Sequence, residues 1–339
     1  MNNLKRREFL LATALTATGI AFRSSPASAA TADLSVLAEK AAKEGQVTYY
    51  SSTNPVLSQS LVDLFNKTYP KIKVSIVRLA SGPLGRRFAS EAQAGDTVAD
   101  ILQLGDPRLM ADGDAKGWFA DLQDLPAYQA WPSGFKSSHQ VTVSLFPDTI
   151  TYNTNLVKGK DIPVGWESVL NDKWRGRILI ADIRNSPSLM EWAALMLDTY
   201  GPDFLKRLAA LKPRYVASTL PGSQLVAAGE AAFVLPNFRM VSYSLIEKGA
   251  PLDDVTPSLT SGMESILGIS ATAKHPNAAR LLSNFILTQP GQEALSKNTA
   301  VSPLPNIPGA LQLPKDYRRS NNAEAAARAP ELLKLMGIQ

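Results

Sequence analysis

The sequence of 339 residues contains no cysteine and only two histidines, His139 and His275. Without cysteine the chain has no disulfide bond, no thiolate nucleophile and no attachment residue for the lipid of a bacterial lipoprotein. Two histidines supply a zinc site or a histidine-based triad poorly. Beyond the N-terminus no uncharged apolar run is long enough to cross a bilayer, so we expect no membrane span in the mature protein.

The sequence also lacks the motifs of common enzymes. It has no G-x-S-x-G elbow, no H-E-x-x-H helix and no P-loop. Two of the acidic residues Asp106, Asp148 and Asp182 could form the carboxylate pair of a glycosidase, but capping or hinge roles suit their positions better. We therefore expect no enzyme activity, no catalytic residue, no cofactor and no metal ligand. A secreted hydrolase is the alternative from another class.

The N-terminus has the pattern of an export signal. A twin arginine, Arg6 and Arg7, precedes Phe9 and a modestly apolar run, and small residues follow at positions 27–29. This predicts a signal peptide over residues 1–29, cleaved after Ala29, with the twin-arginine route to the periplasm favoured over the general secretory route. Basic residues flanking an ordinary secretory signal are the alternative, and the destination is the same.

Charge gives no indication of nucleic-acid binding. The formal net charge is +5, and the predicted signal peptide carries +3 of it, which leaves about +2 for the mature chain. The sequence shows neither a basic run nor interleaved aromatic residues, so no nucleic-acid partner is expected.

Helical and extended patterns alternate through the mature chain. Apolar stripes of helical period separate short strands at residues 47–50, 74–79 and 101–104, and the same alternation resumes with strands at 178–181 and 231–235. Alternation of this kind predicts an α/β fold with crossover helices and a mainly parallel sheet.

A long extended stretch, residues 139–156, lies near the middle of the chain. Two β-prone pieces meet there at Pro147, which suits a strand that leaves one lobe and enters another. In that interpretation Asp148, Tyr152 and Asn153 lie close to the junction, and a strand near 266–270 returns the chain to the first lobe. An ordinary antiparallel strand in a single domain is the alternative.

One local pattern recurs after four predicted strands. A capping residue or glycine stands before a proline that would begin a helix, in the segments at residues 51–55, 81–83, 105–107 and 185–187. Turns at the carboxyl ends of strands face the ligand crevice of an open α/β sheet. Exposed N–H groups and helix dipoles would make that crevice receptive to an anion or a polar oxygen.

Several segments together resemble the periplasmic solute-binding proteins of ABC importers, family 1, in the group with ferric, phosphonate, sugar-phosphate and polyamine-type members. The matching segments are YYSS (49–52), SGPLGRR (81–87), ADILQLGD (99–106), YNTNLV (152–157), WESVLNDKWRGRI (166–178), AAGE (227–230) and KHPNAARLLSNFILTQPGQ (274–292). The resemblance implies a type II periplasmic-binding-protein fold, two α/β lobes joined by two hinge strands. We expect one lobe over residues 31–145 plus 263–339 and the other over 146–262.

The resemblance also bears on the ligand. Ferric members coordinate iron through adjacent tyrosines just after the strand that follows the GE motif, where this chain has LPNFR at residues 235–239. Tyr243 alone cannot replace two phenolates. We therefore prefer a small polar or anionic organic solute, a carboxylate, phosphonate or sugar phosphate. A ferric-ion site with a non-standard ligand set is the alternative.

The predicted binding residues come from both lobes and from the hinge. They are Ser51, Ser52, Thr53, Ser81, Gly82, Asp106, Tyr152, Asn153, Asn185, Ser186, Asn237, Phe238 and Arg239. Arg184 and Arg239 are the candidate partners for an anion, whereas Arg87 is expected to brace Glu91 four residues on. We expect a monomer that closes over the solute and then docks on a membrane permease of an ABC importer.

Overall fold

The computed structural model describes residues 26–319 and 322–338. The predicted signal peptide therefore lies outside the described residues, apart from residues 26–29 at the start of the first helix, and its export route and cleavage site stay predictions. Within the described ranges, none of the helices is both long and apolar enough to span a membrane.

Helices and strands alternate as predicted through the first half of the described chain. Their bounds are α1 (Pro26–Glu44), β1 (Gln46–Ser51), α2 (Pro55–Thr68), β2 (Lys73–Arg78), α3 (Ser81–Gln93), β3 (Ile101–Leu104), α4 (Pro107–Ala115), α5 (Pro126–Gln129) and β4 (Val141–Asn153). Short 3₁₀ turns follow at Gly159–Asp161, Trp166–Val169, Asp172–Trp174 and Ile183–Asn185.

The second half adds a further α/β unit and a C-terminal tail. Its elements are β5 (Ile178–Ala181), α6 (Pro187–Tyr200), α7 (Pro202–Ala210), β6 (Arg214–Val216), α8 (Thr219–Ala227), β7 (Phe233–Phe238), α9 (Arg239–Ile246), β8 (Leu252–Val255), β9 (Leu259–Thr260), β10 (Gly262–Ile269), α10 (Pro276–Ile286), α11 (Gln289–Ser296), β11 (Asp316–Tyr317), α12 (Asn322–Ala327) and α13 (Ala329–Leu335).

Nine strands form one continuous sheet. Its order is β2-β1-β3-β10-β4-β7-β5-β6, and β8 pairs with β4 as well. The strands β1, β2 and β3 are parallel to one another, and so are β5, β6 and β7. The central strands β4 and β10 pair antiparallel with their neighbours. The predicted parallel sheet is thus present in each lobe, with antiparallel strands between the two lobes.

Strand β4 crosses from one lobe to the other. Its first part, up to Pro147, pairs with β10, and its second part, from Asp148 onward, pairs with β7 and β8. This confirms the crossover strand predicted around Pro147. We call residues 146–148 the hinge segment. A Cβ atom on Gly262, which lies opposite, would stand 2.3 Å from the carbonyl oxygen of Phe146, so only glycine fits there.

Each lobe has its own hydrophobic core. In the first lobe, Tyr49, Phe65 and Leu282 belong to one buried cluster, and Phe88 belongs to a smaller one on α3. In the second lobe, the fully buried ring of Trp192 packs against that of Trp166, with centroids 5.4 Å apart, in a separate cluster. Separate cores indicate that each lobe is a packing unit of its own.

The C-terminal tail ends on the second lobe. Helices α12 and α13 pack against α6, and α13 also packs against α7. Leu332 and Met336 are buried in the same cluster as Trp192. The lobe boundaries stay a prediction, but this packing argues for placing residues 322–338 with the second lobe rather than with the first. The tail then forms a third connection, because Val301 still bridges to Leu145 beside the hinge segment.

Asp148 is a buried carboxylic acid at the hinge segment. Its Oδ2 accepts a hydrogen bond of 2.8 Å from the Ser261 hydroxyl, and its Oδ1 has no partner among the described residues. Burial raises the pKa of Asp148 well above its usual range; the Ser261 bond opposes this shift, and the nearby Glu191 carboxylate adds to it. The folded environment of Asp148 therefore stabilises the neutral acid relative to the carboxylate.

We expect Asp148→Asn to remove part of the pH dependence of folding. With a raised pKa in the folded state, the contribution of Asp148 is fully present below its unfolded pKa, near 3.8, and is lost as pH rises through the folded pKa. Each unit of that elevation costs about 1.4 kcal/mol at higher pH. Urea unfolding at pH 4.5 and 7.5 should show the variant gaining more stability over the parent at pH 7.5 than at pH 4.5.

A matched control for this measurement is Asp112→Asn, because Asp112 is exposed on α4. If the difference in unfolding free energy between the parent and Asp148→Asn were the same at both pH values, burial of the carboxyl group would not explain its titration.

Candidate functional site

The register of the sheet brings the strand ends of the two lobes face to face. Strands β3 and β4 run in the same direction, because both are antiparallel to β10. Strand β4 therefore continues past the carboxyl end of β3, toward the second lobe. There Asp148 lies opposite Phe238, the last residue of β7. The carboxyl ends of three parallel strands in each lobe thus point toward the hinge segment.

Three turns of the first lobe meet at Gly105. The Gly105 N–H donates to the Ser52 hydroxyl at 3.1 Å. A Cβ atom on Gly105 would lie 3.2 Å from the Ser81 hydroxyl oxygen and 2.8 Å from the sulfur of Met263. The turns after β1, β2 and β3 therefore form one surface beside β10, and Ser52 and Ser81 lie on it together. Gly105 and Met263 were not among the predicted site residues.

The helices that begin at this surface differ in how they are capped. Asp106 caps α4 by accepting the Leu109 N–H at 3.1 Å, and Asn54 caps α2 by accepting the Val56 N–H at 2.8 Å. Residue Ala80 precedes α3 and provides no side-chain cap. The first N–H groups of α3, which include that of Gly82, are therefore the ones left for an anion or polar oxygen.

Ser51 and Thr53 shape the first turn from beneath. Both side chains are buried. The Ser51 hydroxyl accepts the Thr53 N–H at 3.1 Å, and the Thr53 hydroxyl accepts a bond of 2.9 Å from the amide of Gln103. These bonds hold the turn in shape and leave Ser52 as its more exposed hydroxyl.

Three arginines lie on the elements that border the first-lobe surface. Arg78 ends β2 and donates to the Thr53 carbonyl at 3.5 Å. The Nη1 atom of Arg86 lies 3.4 Å from the position that a Cβ atom would take on Gly82. Arg108 lies in the first turn of α4. Among the residues that the structure describes, none of these three guanidinium groups has an ion-pair partner within 4.0 Å. The surface therefore has an excess of positive charge.

The facing turns of the second lobe are joined to each other. Asn185 is exposed, and its amide donates to the Ala217 carbonyl at 2.9 Å, which ties the turn after β5 to the turn after β6. Ser186 precedes α6 without capping it, and its hydroxyl lies 2.9 Å from that of Ser188. The turn after β6 was not predicted, although its Ser218-Thr219 pair before α8 resembles the other helix starts.

Arg184 already has an anionic partner. Its guanidinium makes three hydrogen bonds, of 2.7 to 3.1 Å, with the Asp182 carboxylate. The hydrogen bond from Arg184 also lowers the pKa of Asp182. Because this charge is neutralised in place, Arg184 is a weaker candidate for a solute contact than the three arginines of the first lobe.

The segment after β7 is more buried than predicted. The sequence placed the end of the strand before Asn237, but β7 continues to Phe238. Asn237 is fully buried, and its amide donates to Thr151 at 2.7 Å and to Ser223 at 2.9 Å. Phe238 belongs to the core of the second lobe. Asn237→Ala would therefore disturb folding, and Asn237 has no exposed surface with which to contact a solute as the sequence predicted.

Arg239 connects the two lobes. Its guanidinium donates to the Asp254 carboxylate at 3.1 Å and to the Asn298 carbonyl at 3.1 Å. Burial raises the pKa of Asp254, while hydrogen bonds from Ser242 and Thr151 and the charge of Arg239 oppose that shift. Arg239 therefore has partners on both lobes without any solute.

Tyr152 and Asn153 lie away from the hinge segment. In the register, Tyr152 is opposite Phe233, the first residue of β7, whereas the hinge end of β7 is Phe238. The Asn153 amide donates to the Val226 carbonyl at 2.7 Å. The prediction that these two residues lie at the junction was wrong. Strand β4 is 13 residues long, so it carries them to the far end of the second-lobe sheet.

A cavity of about 480 Å³ opens beside the strand-end surfaces, between the two lobes. Its first-lobe wall comes from the start of α2 and the end of α11, and its second-lobe wall comes from α9. The lining residues are Asn54, Val56, Leu57, Ser60, Met240, Tyr243, Ser244, Glu247, Ala294, Lys297, Asn298 and Thr299. Asn54 belongs to the turn after β1, so the cavity is continuous with that turn. Its size suits a small organic molecule.

Among the described residues, no group of three or more acidic, histidine or cysteine side chains is arranged to hold a metal ion. Phe238 and Arg239 occupy the position where the resemblance places paired tyrosines in ferric binding proteins. Tyr243 lies a helical turn further on, and its hydroxyl accepts a hydrogen bond from the Asn298 amide at 2.8 Å.

Comparison with known proteins agrees with this architecture. Residues 45–293 match the model of a family described as bacterial extracellular solute-binding protein. A substrate-binding protein of an ABC transporter from Agrobacterium tumefaciens superposes with a TM-score of 0.75 at 16% identity, covering 86% of this chain and 94% of that one. A comparison with curated protein sequences finds no match.

Two further solved structures have the same fold with different ligands. Iron-bound HitA from Pseudomonas aeruginosa has a TM-score of 0.69 at 19% identity, covering 86% of this chain and 99% of that one. AfuA from Actinobacillus pleuropneumoniae, with fructose-6-phosphate bound, has a TM-score of 0.63 at 20% identity, covering 86% and 97%. At these identities the likeness shows the two-lobed fold and leaves the ligand open.

Proposed function

The chain belongs to the bacterial extracellular solute-binding proteins, and from this premise we propose that it captures a small anionic organic solute for an ABC importer by closing its two lobes. The family consists of binding proteins and not of enzymes, so the secreted hydrolase is set aside. Carboxylates, phosphonates and sugar phosphates are the solute classes that the site would take.

The observation that carries this proposal is the charge of the first-lobe surface. Three arginines without ion-pair partners in the described chain, Arg78, Arg86 and Arg108, lie on the elements that border the uncapped start of α3 and the Ser52 and Ser81 hydroxyls. Guanidinium groups bind carboxylate or phosphate through paired hydrogen bonds, and helix N-termini add N–H donors. A compact anion would satisfy both sets of donors at once.

Closure follows from the position of the hinge segment. A solute on the first-lobe surface would also be in reach of the turns after β5 and β6 once the lobes approach. Contacts with both lobes bind the closed form more tightly than the open form, so the solute shifts the balance toward closure. Ser52, Ser81, Gly82, Asn185 and Ser186 are the predicted residues that we retain as direct contacts.

The ferric alternative has less support from this chain. Iron(III) favours anionic oxygen donors, and the solved structures similar to this chain include an iron-bound protein. At the matching position, however, this chain has a buried phenyl ring, Phe238, and a cation, Arg239. We therefore place the organic anion first and keep Fe(III) among the solutes to be tested.

We further propose export by the twin-arginine route, cleavage after Ala29, and action in the periplasm as a monomer. The partner is a membrane permease of an ABC importer, and no nucleic acid is involved. Accumulation of the precursor in cells that lack a functional twin-arginine translocase would support the route. Export that depends only on the general secretory machinery would contradict it.

A thermal-shift screen of the mature protein tests the solute class. The probes are fructose 6-phosphate, aminoethylphosphonate, citrate, sorbitol and Fe(III). A ligand that binds only the folded state stabilises it, by about 2.7 kcal/mol when the ligand concentration is 100 times its Kd. The melting temperature then rises. We expect at least one organic anion to raise the melting temperature and sorbitol to have no effect. Stabilisation by Fe(III) alone, with a coloured complex, would contradict the proposal.

The arginines provide a sharper version of this test. Arg86→Gln should weaken binding of the stabilising anion about tenfold, or about 1.4 kcal/mol, because one charge-assisted bond is lost. Titration calorimetry at low and high salt measures this change. The matched control is Arg207→Gln, an exposed arginine on α7, which should bind like the parent. Equal affinities for the parent and Arg86→Gln would argue against the cationic surface.

A further inference from the structure

Gln103 is an amide inside an otherwise apolar strand. Strand β3 reads Ile-Leu-Gln-Leu, and all four residues are buried. Gln103 has no exposed surface and pairs with Ser51 on one side and Leu267 on the other. A buried amide costs free energy unless its donors and acceptor are paired. Its bonding partners therefore indicate what the residue does.

The Gln103 side chain joins three different strands or turns. Its Nε2 donates to the Thr53 hydroxyl at 2.9 Å and to the Ser265 hydroxyl at 2.9 Å, and its Oε1 accepts a hydrogen bond from the Tyr49 hydroxyl. A primary amide has two N–H hydrogens, so both are used. With Tyr49 donating to Oε1, the two N–H groups of the amide are directed at Thr53 and Ser265.

The two acceptors lie at functionally different places. Thr53 is in the turn after β1, part of the proposed solute surface, and its carbonyl also accepts from Arg78. Ser265 is on β10, the strand that pairs with the hinge segment through Gly262. The register of β10 against β4 shifts between Ser265 and Ile266. Such irregularities bend a strand locally, so this is where β10 can adjust its direction.

We propose that Gln103 is a positioning residue that couples the turn after β1 to the hinge strand β10. Through one rigid amide, a displacement of Thr53 changes the position of Ser265 next to the register shift. The amide thereby links the solute surface to the bend that sets the angle between the lobes. This inference rests on the proposed lobe closure, but it does not depend on which solute binds.

The arrangement favours coupling over simple filling of the core. An apolar residue at position 103 would pack without any need for partners, and the neighbouring Ile101 and Leu102 do so. Gln103 instead uses both of its N–H donors to join one turn to one strand, and its oxygen accepts from Tyr49 on β1. Gln292 provides a contrast in the same lobe: it is also fully buried, but its bonds go to the Ile286 carbonyl and the Ser302 hydroxyl, away from the solute surface.

The test compares Gln103→Met with the matched control Gln292→Met. Both changes replace a fully buried glutamine by a side chain of similar length, so both lose hydrogen bonds and some stability. Because the chain has no cysteine, two introduced cysteines can carry the only spin labels. We place them at Gln59 on α2 and Lys248 after α9, which are exposed on opposite lobes. Pulsed electron-spin distance measurements without solute then report the angle between the lobes.

We expect the distance distribution of Gln103→Met to be shifted or broadened relative to the parent, and that of Gln292→Met to superpose on the parent. Ser265→Ala, which removes only the hinge end of the link, should reproduce the Gln103→Met result and serves if Gln103→Met does not fold. Superposition of both Gln103→Met and Ser265→Ala on the parent would overturn the proposal. An equal change in Gln292→Met would also overturn it, because loss of core stability would then explain the effect.

These measurements are made without solute, so a failed solute screen leaves their outcome intact. Conversely, if an organic anion binds and the distance distributions of all variants superpose, the proposed function stands and the coupling role of Gln103 falls.

Discussion

Arg319→Ala is expected to lower the free energy of unfolding by about 2–4 kcal/mol, because it leaves a buried carboxylate without its counter-ion. Glu264 on β10 is only 2% exposed. Arg319 binds both of its oxygens, through Nε to Oε1 at 2.8 Å and through Nη2 to Oε2. The remaining partner, the Thr142 hydroxyl, lies at 3.5 Å and offers a weak bond.

Arg319 also holds the tail against the first lobe. Its guanidinium donates to the Gly134 carbonyl and lies 4.6 Å from the centre of the Phe135 ring. Beyond it, the chain crosses to α12 and α13 on the second lobe. Loss of the Arg319 side chain would therefore remove one attachment of the tail to the first lobe and leave the carboxylate of Glu264 without its counter-ion.

Urea unfolding of four proteins separates these effects. Arg318→Ala is the matched control, because Arg318 is the exposed neighbour and bonds to Thr260 only through its backbone N–H. We expect it to behave like the parent. Adding Glu264→Gln to Arg319→Ala should restore much of the stability, since the carboxylate is then neutral. A loss in Arg319→Ala no larger than that in Arg318→Ala would show that the buried ion pair contributes little.

Gly105→Val is expected to reduce solute affinity by about 100-fold or more, or about 2.7 kcal/mol, with a smaller effect on folding. Even a single Cβ atom at this position would lie 2.8 Å from the sulfur of Met263 and 3.2 Å from the Ser81 hydroxyl. The branched side chain of valine would fill the meeting point of the three first-lobe turns. Because Gly105 is partly exposed at the end of β3, its surroundings can move without unfolding the core.

Titration of the anion found in the thermal-shift screen measures this loss. Gly134→Val is the matched control: a Cβ atom there would meet nothing within 4 Å, and the residue lies outside the strand-end turns. The control should bind like the parent. If Gly105→Val kept full affinity while folding normally, the solute would not bind at this surface. The cavity between the lobes that Tyr243 and Lys297 line would then be the first site to examine.

Much of the architecture was predictable from residue order. The alternation of apolar periods predicted the α/β fold, and the extended stretch around Pro147 predicted the strand that crosses between lobes. The repeated cap-and-proline pattern predicted which turns begin helices at strand ends. These features depend on local propensity and on the spacing of apolar residues, and short segments of sequence are enough to determine both.

The sequence by itself therefore determined most of the elements, most of the turns at strand ends and the family of folds that they build. Tertiary structure alone decided that Tyr152 and Asn153 lie at the far end of the second-lobe sheet, that Asn237 of β7 is buried against β4 and α8, and that the tail packs on the second lobe. Each of these depends on strand register or on contacts between distant segments. A local pattern specifies that a strand exists, but its partners are set only when the whole core packs.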